Sequence, residues 1–276
     1  MKVLVHKKRI RSSVGAGIFY PDNKSEILEL FRTYDLNAST GGHARAIIAP
    51  HGAWDFSGAL AAYAFSSAMG RSGAIKRVVI LGPIHDKREK GIFLSNSHSF
   101  HTPLGNIPVD YAISEKLQLN SRFFEIDDVP HLREHSIEIL LPFVKYCFPS
   151  ASIVPILMGQ PRKEFIKDLA KALKTVMHPI LEETLFVVSC NLSCDNDTKT
   201  AQFLAQECLR LFSQKDAPAL VSAFLNGGIN ACGGGLVAGL FESGLLDKDS
   251  CFASEYMLSA VSSENNTVFY SAVSFE

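Results

Sequence analysis

Four short apolar runs limit what this chain can fold into. They are Arg45-Ala46-Ile47-Ile48-Ala49-Pro50, Lys76-Arg77-Val78-Val79-Ile80-Leu81-Gly82-Pro83, Ser152-Ile153-Val154-Pro155-Ile156-Leu157 and Thr184-Leu185-Phe186-Val187-Val188-Ser189. Each is continuous rather than alternating, so as a strand it presents apolar side chains on both faces and needs cover on both sides. The covering segments lie between them: Ala59 to Met69, Ser136 to Tyr146 and Glu164 to Val176 have helical spacing, with Pro142 bending the second or sitting in its first turn. Further helices are expected from Ala201 to Phe224 and from Leu236 to Phe241, and an early one with Ser25 as N-cap and Ile27, Leu28, Leu30 and Phe31 as its buried stripe. Strand–helix alternation predicts a three-layer α/β/α sandwich around a largely parallel sheet. Shorter strands at Gly91–Leu94 and Ile107–Val109, and a terminal hairpin of Ser254–Val261 and Thr267–Phe275 about Asn265-Asn266, make that sheet mixed.

No linker, repeat or low-complexity tract interrupts the 276 residues, which predicts one domain over 1–276. With 27 basic against 28 acidic residues, the chain has no positive field with which to collect nucleic acid. No apolar run approaches the ~18 residues of a membrane span. The opening Met1-Lys2-Val3-Leu4-Val5-His6-Lys7-Lys8 carries its charge after its apolar stretch and has no small-residue cleavage site, unlike a signal peptide. A cytoplasmic protein is expected. Cys147, Cys190, Cys194, Cys208, Cys232 and Cys251 lack the paired spacing of a disulfide framework or zinc ribbon, so most should be reduced core residues. Cys190 and Cys194, in an apparent polar loop, and Cys232, beside three glycines, are the candidates for chemistry.

In an open α/β sheet the carboxyl ends of parallel strands form the rim where ligands bind. Here the first run is followed by His51, the second by Ile84-His85-Asp86, and the fourth by Cys190-Asn191-Leu192-Ser193-Cys194. Imidazole and thiolate presented on one rim make a donor set for zinc, iron or copper. A single histidine in such a place is more often a loop hydrogen-bonder; two, each pinned by a proline at a strand end, strengthen the metal reading. Arg133-Glu134-His135-Ser136-Ile137-Glu138 opens a helix, and its glutamates read first as helix caps and second as partners orienting His135 as a general base. Cys232 is either a buried filler or a thiolate reaching the rim, and Trp54 either walls a pocket or packs. His98 and His101 have no fixed common direction and are read as loop residues.

Taken together, Ile48-Ala49-Pro50-His51 with Phe56-Ser57-Gly58, Ile80-Leu81-Gly82-Pro83-Ile84-His85, Thr102-Pro103-Leu104-Gly105, Glu134-His135-Ser136-Ile137-Glu138 and Leu141-Pro142-Phe143 resemble the Memo family in order and spacing. Gly17-Ile18-Phe19-Tyr20-Pro21, Ile153-Val154-Pro155-Ile156 and Ala231-Cys232-Gly233 match as well. The resemblance implies a fold like that of class III extradiol dioxygenases, which are non-haem iron enzymes. It also implies a pocket whose metal ligands fall at His51, His85 and Cys232, linked in the family to iron or copper. In bacteria and archaea it implies a radical-SAM protein and an Ammecr-type protein as partners (the protein B of that system), and in animals a link to motility signalling and phosphopeptide binding. It implies no agreed reaction.

The chain departs from the family pattern around this pocket. The usual His-Ala-Gly-Tyr is His51-Gly52-Ala53-Trp54, and the second histidine of Ser-His-His is Asp86. A family aspartate and histidine become Asn191 and Cys194, and the arginine after Cys-Gly is Gly234. An amide cannot act as a base, and thiol donors shift metal preference from iron toward zinc or Cu(I). Three functions follow. One is a metal-dependent oxidoreductase, with His135 moving protons, helped by Glu134 or Glu138, and with Trp54, Asp86, Cys190, Asn191 and Cys194 around the pocket. Another is a binding module that docks a partner protein through a degenerate pocket. The third is a thiol-dependent hydrolase or redox protein.

Overall fold

The computed structural model describes residues 9–36, 42–246, 252–255, 261–263 and 266–276. Its centre is an eight-stranded sheet. In chain order the strands are β1 (Ala46–Ala49), β2 (Arg77–Pro83), β3 (Ile92–Leu94), β4 (Phe124–Ile126), β5 (Ser152–Met158), β6 (Thr184–Ser189), β7 (Phe252–Glu255) and β8 (Ala272–Phe275). Their order across the sheet is β7-β8-β1-β6-β2-β5-β3-β4. The middle four are mutually parallel, while β8 runs antiparallel to β1 and β3 antiparallel to β5. The four apolar runs are thus the four central strands, where both faces are covered.

Alternation along each strand divides the core in two. Ala46, Ile48, Val79, Leu81, Phe186 and Val188 face a layer containing helices Lys163–Met177, Thr198–Gln214, Ala217–Leu225 and Gly234–Glu242. Ile47, Ala49, Val78, Ile80, Leu185 and Val187 face helices Lys24–Thr33, Trp54–Ser66 and Leu141–Cys147. Among the described residues, no helix is long and apolar enough to cross a membrane.

Several local expectations are corrected. The first helix is capped by Asn23, whose side chain accepts the Glu26 N–H, rather than by Ser25. The second helix starts at Trp54 instead of Ala59. The segment Ser136–Tyr146 is divided into a 3₁₀ turn, Glu138–Leu140, and a short α-helix, Leu141–Cys147, with Pro142 in its first turn, where no amide partner is lost. At the C-terminus the hairpin joins Val261–Ser263 to Asn266–Phe269, and Phe252–Glu255 pairs with β8 instead. The rest of the expected Ser254–Val261 strand, together with Asn265 and Cys251, lies outside the described residues. The helix Tyr111–Leu119 and the strand Ser193–Asp195 have no counterpart in the apolar pattern.

Candidate metal centre

Strand β6 lies between β1 and β2, so the turns after β1 and β2 place His51 and His85 on either side of Asn191, which follows β6. Cys232 approaches from the loop before helix Gly234–Glu242. Its N–H donates to the Asn191 carbonyl at 3.3 Å, and the Asn191 N–H donates to its Sγ at 3.1 Å. Only glycine fits at 233: a Cβ there would lie 2.6 Å from the Ser189 carbonyl oxygen and 2.7 Å from Cys190 Cβ. Gly82 plays the same part on β2, where a Cβ would meet Ser136 Oγ and Ile137 Cγ1 at 2.7 Å. That close approach brings the Glu134–Ile137 segment against the rim.

His51, His85 and Cys232 each present one donor atom, all within 4.8 Å of one another. His51 Nε2 lies 3.5 Å from Cys232 Sγ. Two donors bound tetrahedrally at ~2.05 Å (nitrogen) and ~2.3 Å (sulfur) sit about 3.6 Å apart, so this spacing fits a shared ion. The far side of each imidazole is already committed. His51 Nδ1 is 2.6 Å from Ser189 Oγ, whose proton goes to the Ser136 carbonyl at 2.7 Å; the serine therefore accepts from Nδ1–H. His85 Nδ1 faces both Glu134 carboxylate oxygens at 3.1 Å. Both rings thereby keep Nε2 for the centre, the arrangement found behind metal-bound histidines.

Charge reinforces this set. Burial alone would raise the Cys232 thiol, but the neighbouring Cys190 side chain, the charge of His51 and contacts with His51 and His85 outweigh it and hold the thiol well below its ordinary range. Hydrogen bonds to Cys232 and to Glu134 push His85 up to about 10 against the effect of burial. Burial also works against ionised Glu134, yet the hydrogen bond and charge of His85 hold it at about 2. Without an ion, the site is thus a thiolate facing an imidazolium that a carboxylate supports.

Glu134 also accepts the backbone N–H groups of His85 at 2.7 Å and of His135 and Ser136 at 2.8 Å, so it organises the whole segment. The His135 ring is stacked between Phe19, with centroids 4.6 Å apart, and His85, at 5.2 Å. Burial, then the neighbouring charges of His51 and His85, lower its pKa despite Glu134. A cavity of about 210 Å³ opens beside these groups, lined by residues including Ile84, His85, Asp86, Arg133, Glu134 and His135.

The other sequence candidates are placed unevenly. Glu138 does not reach His135 by a hydrogen bond: it is buried in an ion pair with Arg11 and accepts from the Val14 and Gly15 N–H groups and the Tyr20 hydroxyl. It fastens the N-terminal arm to the domain. Trp54 is 2 % exposed, packs among Tyr20, Phe31 and Phe143, and donates Nε1–H to the Ile139 carbonyl, so it is a core residue rather than a wall of the metal pocket. Asp86 reaches the cavity wall but pairs with Arg88. Asn191 spends its side-chain oxygen on the His51 N–H at 3.0 Å. Cys194 is exposed on the strand Ser193–Asp195, outside the donor set, and Cys190 is fully buried behind Cys232 rather than in a polar loop. Sequence reasoning missed Ser189, Ser136 and Phe19, whose roles depend on contacts between distant segments. It also missed Tyr270, whose hydroxyl packs against Gly52 beside His51.

The fold and rim together define an α/β/α protein with a two-histidine, one-cysteine centre at the ends of its parallel strands. The family model described as Memo-like protein matches residues 11–274, and the chain belongs to that family. A MEMO1 family protein of Thermotoga neapolitana is 32 % identical over 247 residues, covering 85 % of this chain and 88 % of that one. One from Thermotoga maritima is 30 % identical, covering 84 % and 87 %. Another, from Methanobrevibacter smithii, is 28 % identical, covering 83 % and 85 %. Among solved structures, an uncharacterised Escherichia coli K12 protein superposes with a TM-score of 0.50 at 10 % identity, covering 83 % of this chain and 98 % of its own, a likeness of fold alone.

Proposed function

We propose that this protein is a metal-dependent oxidoreductase acting on a small substrate, with one transition-metal ion held by His51, His85 and Cys232. The observation that carries this reading is how both rings are held: Ser189 and Glu134 partner the two Nδ1 atoms, and the donor atoms of His51, His85 and Cys232 lie within 4.8 Å of one another. Three protein donors leave a coordination position open, as catalytic rather than closed structural sites do. Two imidazoles and a thiolate suit copper, iron or zinc, and of these copper and iron supply electron transfer when bound. The cavity of about 210 Å³, which shares His85 with the donor set and is walled by Glu134 and His135, is the space a small substrate would occupy. His135, held neutral and parallel to His85, is the proton carrier; Asn191, an amide, cannot be.

The test is metal loading followed by turnover. Protein stripped of metal and reloaded under reducing conditions with Cu(I), Fe(II) or Zn(II) should retain one ion per chain after desalting. The His51→Ala and His85→Ala variants should retain none. Oxygen uptake with a catechol as probe should then depend on copper or iron and fall in His135→Ala without loss of the ion. Failure to retain any of the three metals would remove this reading. A docking role for the same rim draws support from Asn191, because no carboxylate base replaces it there; retained metal with no oxygen uptake would favour that role. A radical-SAM protein and an Ammecr-type protein are then the partners to try.

A further inference from the structure

The mechanism leaves the buried Cys190 unused. Cys190 has no exposed surface, yet its sulfur belongs to the same cluster as the partly exposed Cys232. Both sulfurs lie at one backbone group, the Asn191 carbonyl oxygen, 3.3 Å from Cys190 Sγ and 3.7 Å from Cys232 Sγ. The backbones are also close, since the bare Cα of Gly233 packs on Cys190 Cβ. No large movement is needed to bring such sulfurs to the ~2.05 Å of a disulfide. Cys194, exposed on its own strand, is not part of this contact.

We infer that Cys190 and Cys232 are a peroxide-reactive dithiol, with Cys232 the attacked residue and Cys190 the resolving one. In the first step the Cys232 sulfur attacks one oxygen of hydrogen peroxide and the O–O bond breaks. The second oxygen leaves as hydroxide, which takes a proton from solvent to become water, and Cys232 becomes a sulfenic acid. In the second step the Cys190 sulfur attacks the Cys232 sulfur, the S–O bond breaks, and the hydroxyl leaves as water with the Cys190 proton. The two sulfurs lose two electrons and one peroxide becomes two waters. The solvent-reached member of the pair reacts first and the buried member traps it before further oxidation. Because Cys232 is also a proposed metal donor, the bond would remove sulfur from the donor set; that consequence rests on the metal reading, whereas the bond itself does not.

The experiment uses full-length, reduced, metal-free protein treated with a small excess of hydrogen peroxide, then digested without reductant for mass spectrometry. The expected product is a peptide pair joining residues 190 and 232, lighter by two hydrogens and separated again by dithiothreitol. In Cys190→Ser the same treatment should carry Cys232 to sulfinic or sulfonic acid that dithiothreitol does not reverse, while Cys194→Ser should behave as the parent. Overturning results are a parent protein in which Cys232 over-oxidises without a cross-link, one in which it joins Cys194, or one in which it does not react. Metal retention measured on the oxidised protein should fall from one ion per chain to nearly none and return on reduction. If no metal is ever retained but the cross-link forms, the metal reading fails and the dithiol stands.

Discussion

His51 Nδ1 and Ser189 Oγ are 2.6 Å apart, and because Ser189 passes its own proton to the Ser136 carbonyl, the serine can only accept from the imidazole. One hydroxyl at the end of a central strand therefore fixes which nitrogen of His51 is free. Ser189→Ala removes that acceptor, lets the ring exchange tautomers, and leaves the buried Ser136 carbonyl without this donor. Loss of such a supporting contact typically costs 10–100-fold in metal affinity. A competition titration against a chelator should give a drop of that size in the variant, with one ion per chain still bound at saturation. Unchanged affinity would mean that Ser189 does not set the tautomer.

The His85–Glu134 pair makes binding pH-dependent. Glu134 and Cys232 hold the His85 proton up to about 10 in the metal-free protein, so an incoming ion must displace it. Affinity should rise as pH increases from 6.5 toward 10, with proton release on binding. Calorimetry in buffers of different ionisation enthalpy checks this. In Glu134→Gln the His85 pKa should fall, proton release near pH 8 should diminish, and affinity should drop about 10–100-fold through loss of the orienting carboxylate. For stability the sign is the reverse: the raised imidazole contributes most below 6.5 and loses that contribution as pH climbs through about 10.

The buried Arg11–Glu138 pair separates anchoring from chemistry. Both side chains are 1 % exposed, so Glu138→Ala leaves an uncompensated guanidinium inside the protein, a change that costs about 3–5 kcal/mol. Denaturant unfolding should record that loss, while metal stoichiometry at low temperature stays at one. The double variant Arg11→Met, Glu138→Leu should recover part of the stability, because removing both charges together is far less costly than stranding one. A Glu138 variant of normal stability that has lost metal would point instead to a direct role at the centre.

The strand-end histidines were legible because two local signals coincide. A continuous apolar run marks a doubly covered strand, and a proline marks its end, so His51 and His85 fall on the rim before any tertiary contact is known. Cys232 needed the family resemblance, since a cysteine among glycines reads by default as buried filler. The roles of Glu134 and Glu138 were not separable in the sequence: both lie near a helix start, and only the path of the N-terminal arm, with Arg11 inserted beside Glu138, assigns one to anchoring. The sequence leaves Trp54 open between pocket wall and packing for a related reason, because its neighbours Tyr20, Phe31 and Phe143 come from segments distant in sequence. The strand Ser193–Asp195 was missed because it forms by pairing with Asn266–Phe269, not through apolar periodicity of its own.

Acid sensitivity should come from a histidine away from the donor set. His131 is fully buried, with its ring nitrogen Nε2 on the Phe93 carbonyl at 3.2 Å, and burial holds its pKa at about 4. The unfolded chain protonates this residue near 6.5 and the folded one only near 4, so the unfolded state binds more protons between those values. The His131 contribution should be full above pH 6.5 and decline as pH falls to about 4, by a total on the order of 3 kcal/mol at ~1.36 kcal/mol per unit. Glu134, held at about 2, adds its own loss below 4.5, which separates the two limbs on the pH axis. Urea unfolding followed from pH 8 to pH 3 should show both. His131→Gln keeps an N–H for Phe93 but has nothing to titrate, so its slope from 6.5 to 4 should be shallower than the parent's, leaving the part due to His135, which burial also holds below its ordinary range. An undiminished slope there would assign the limb to another group.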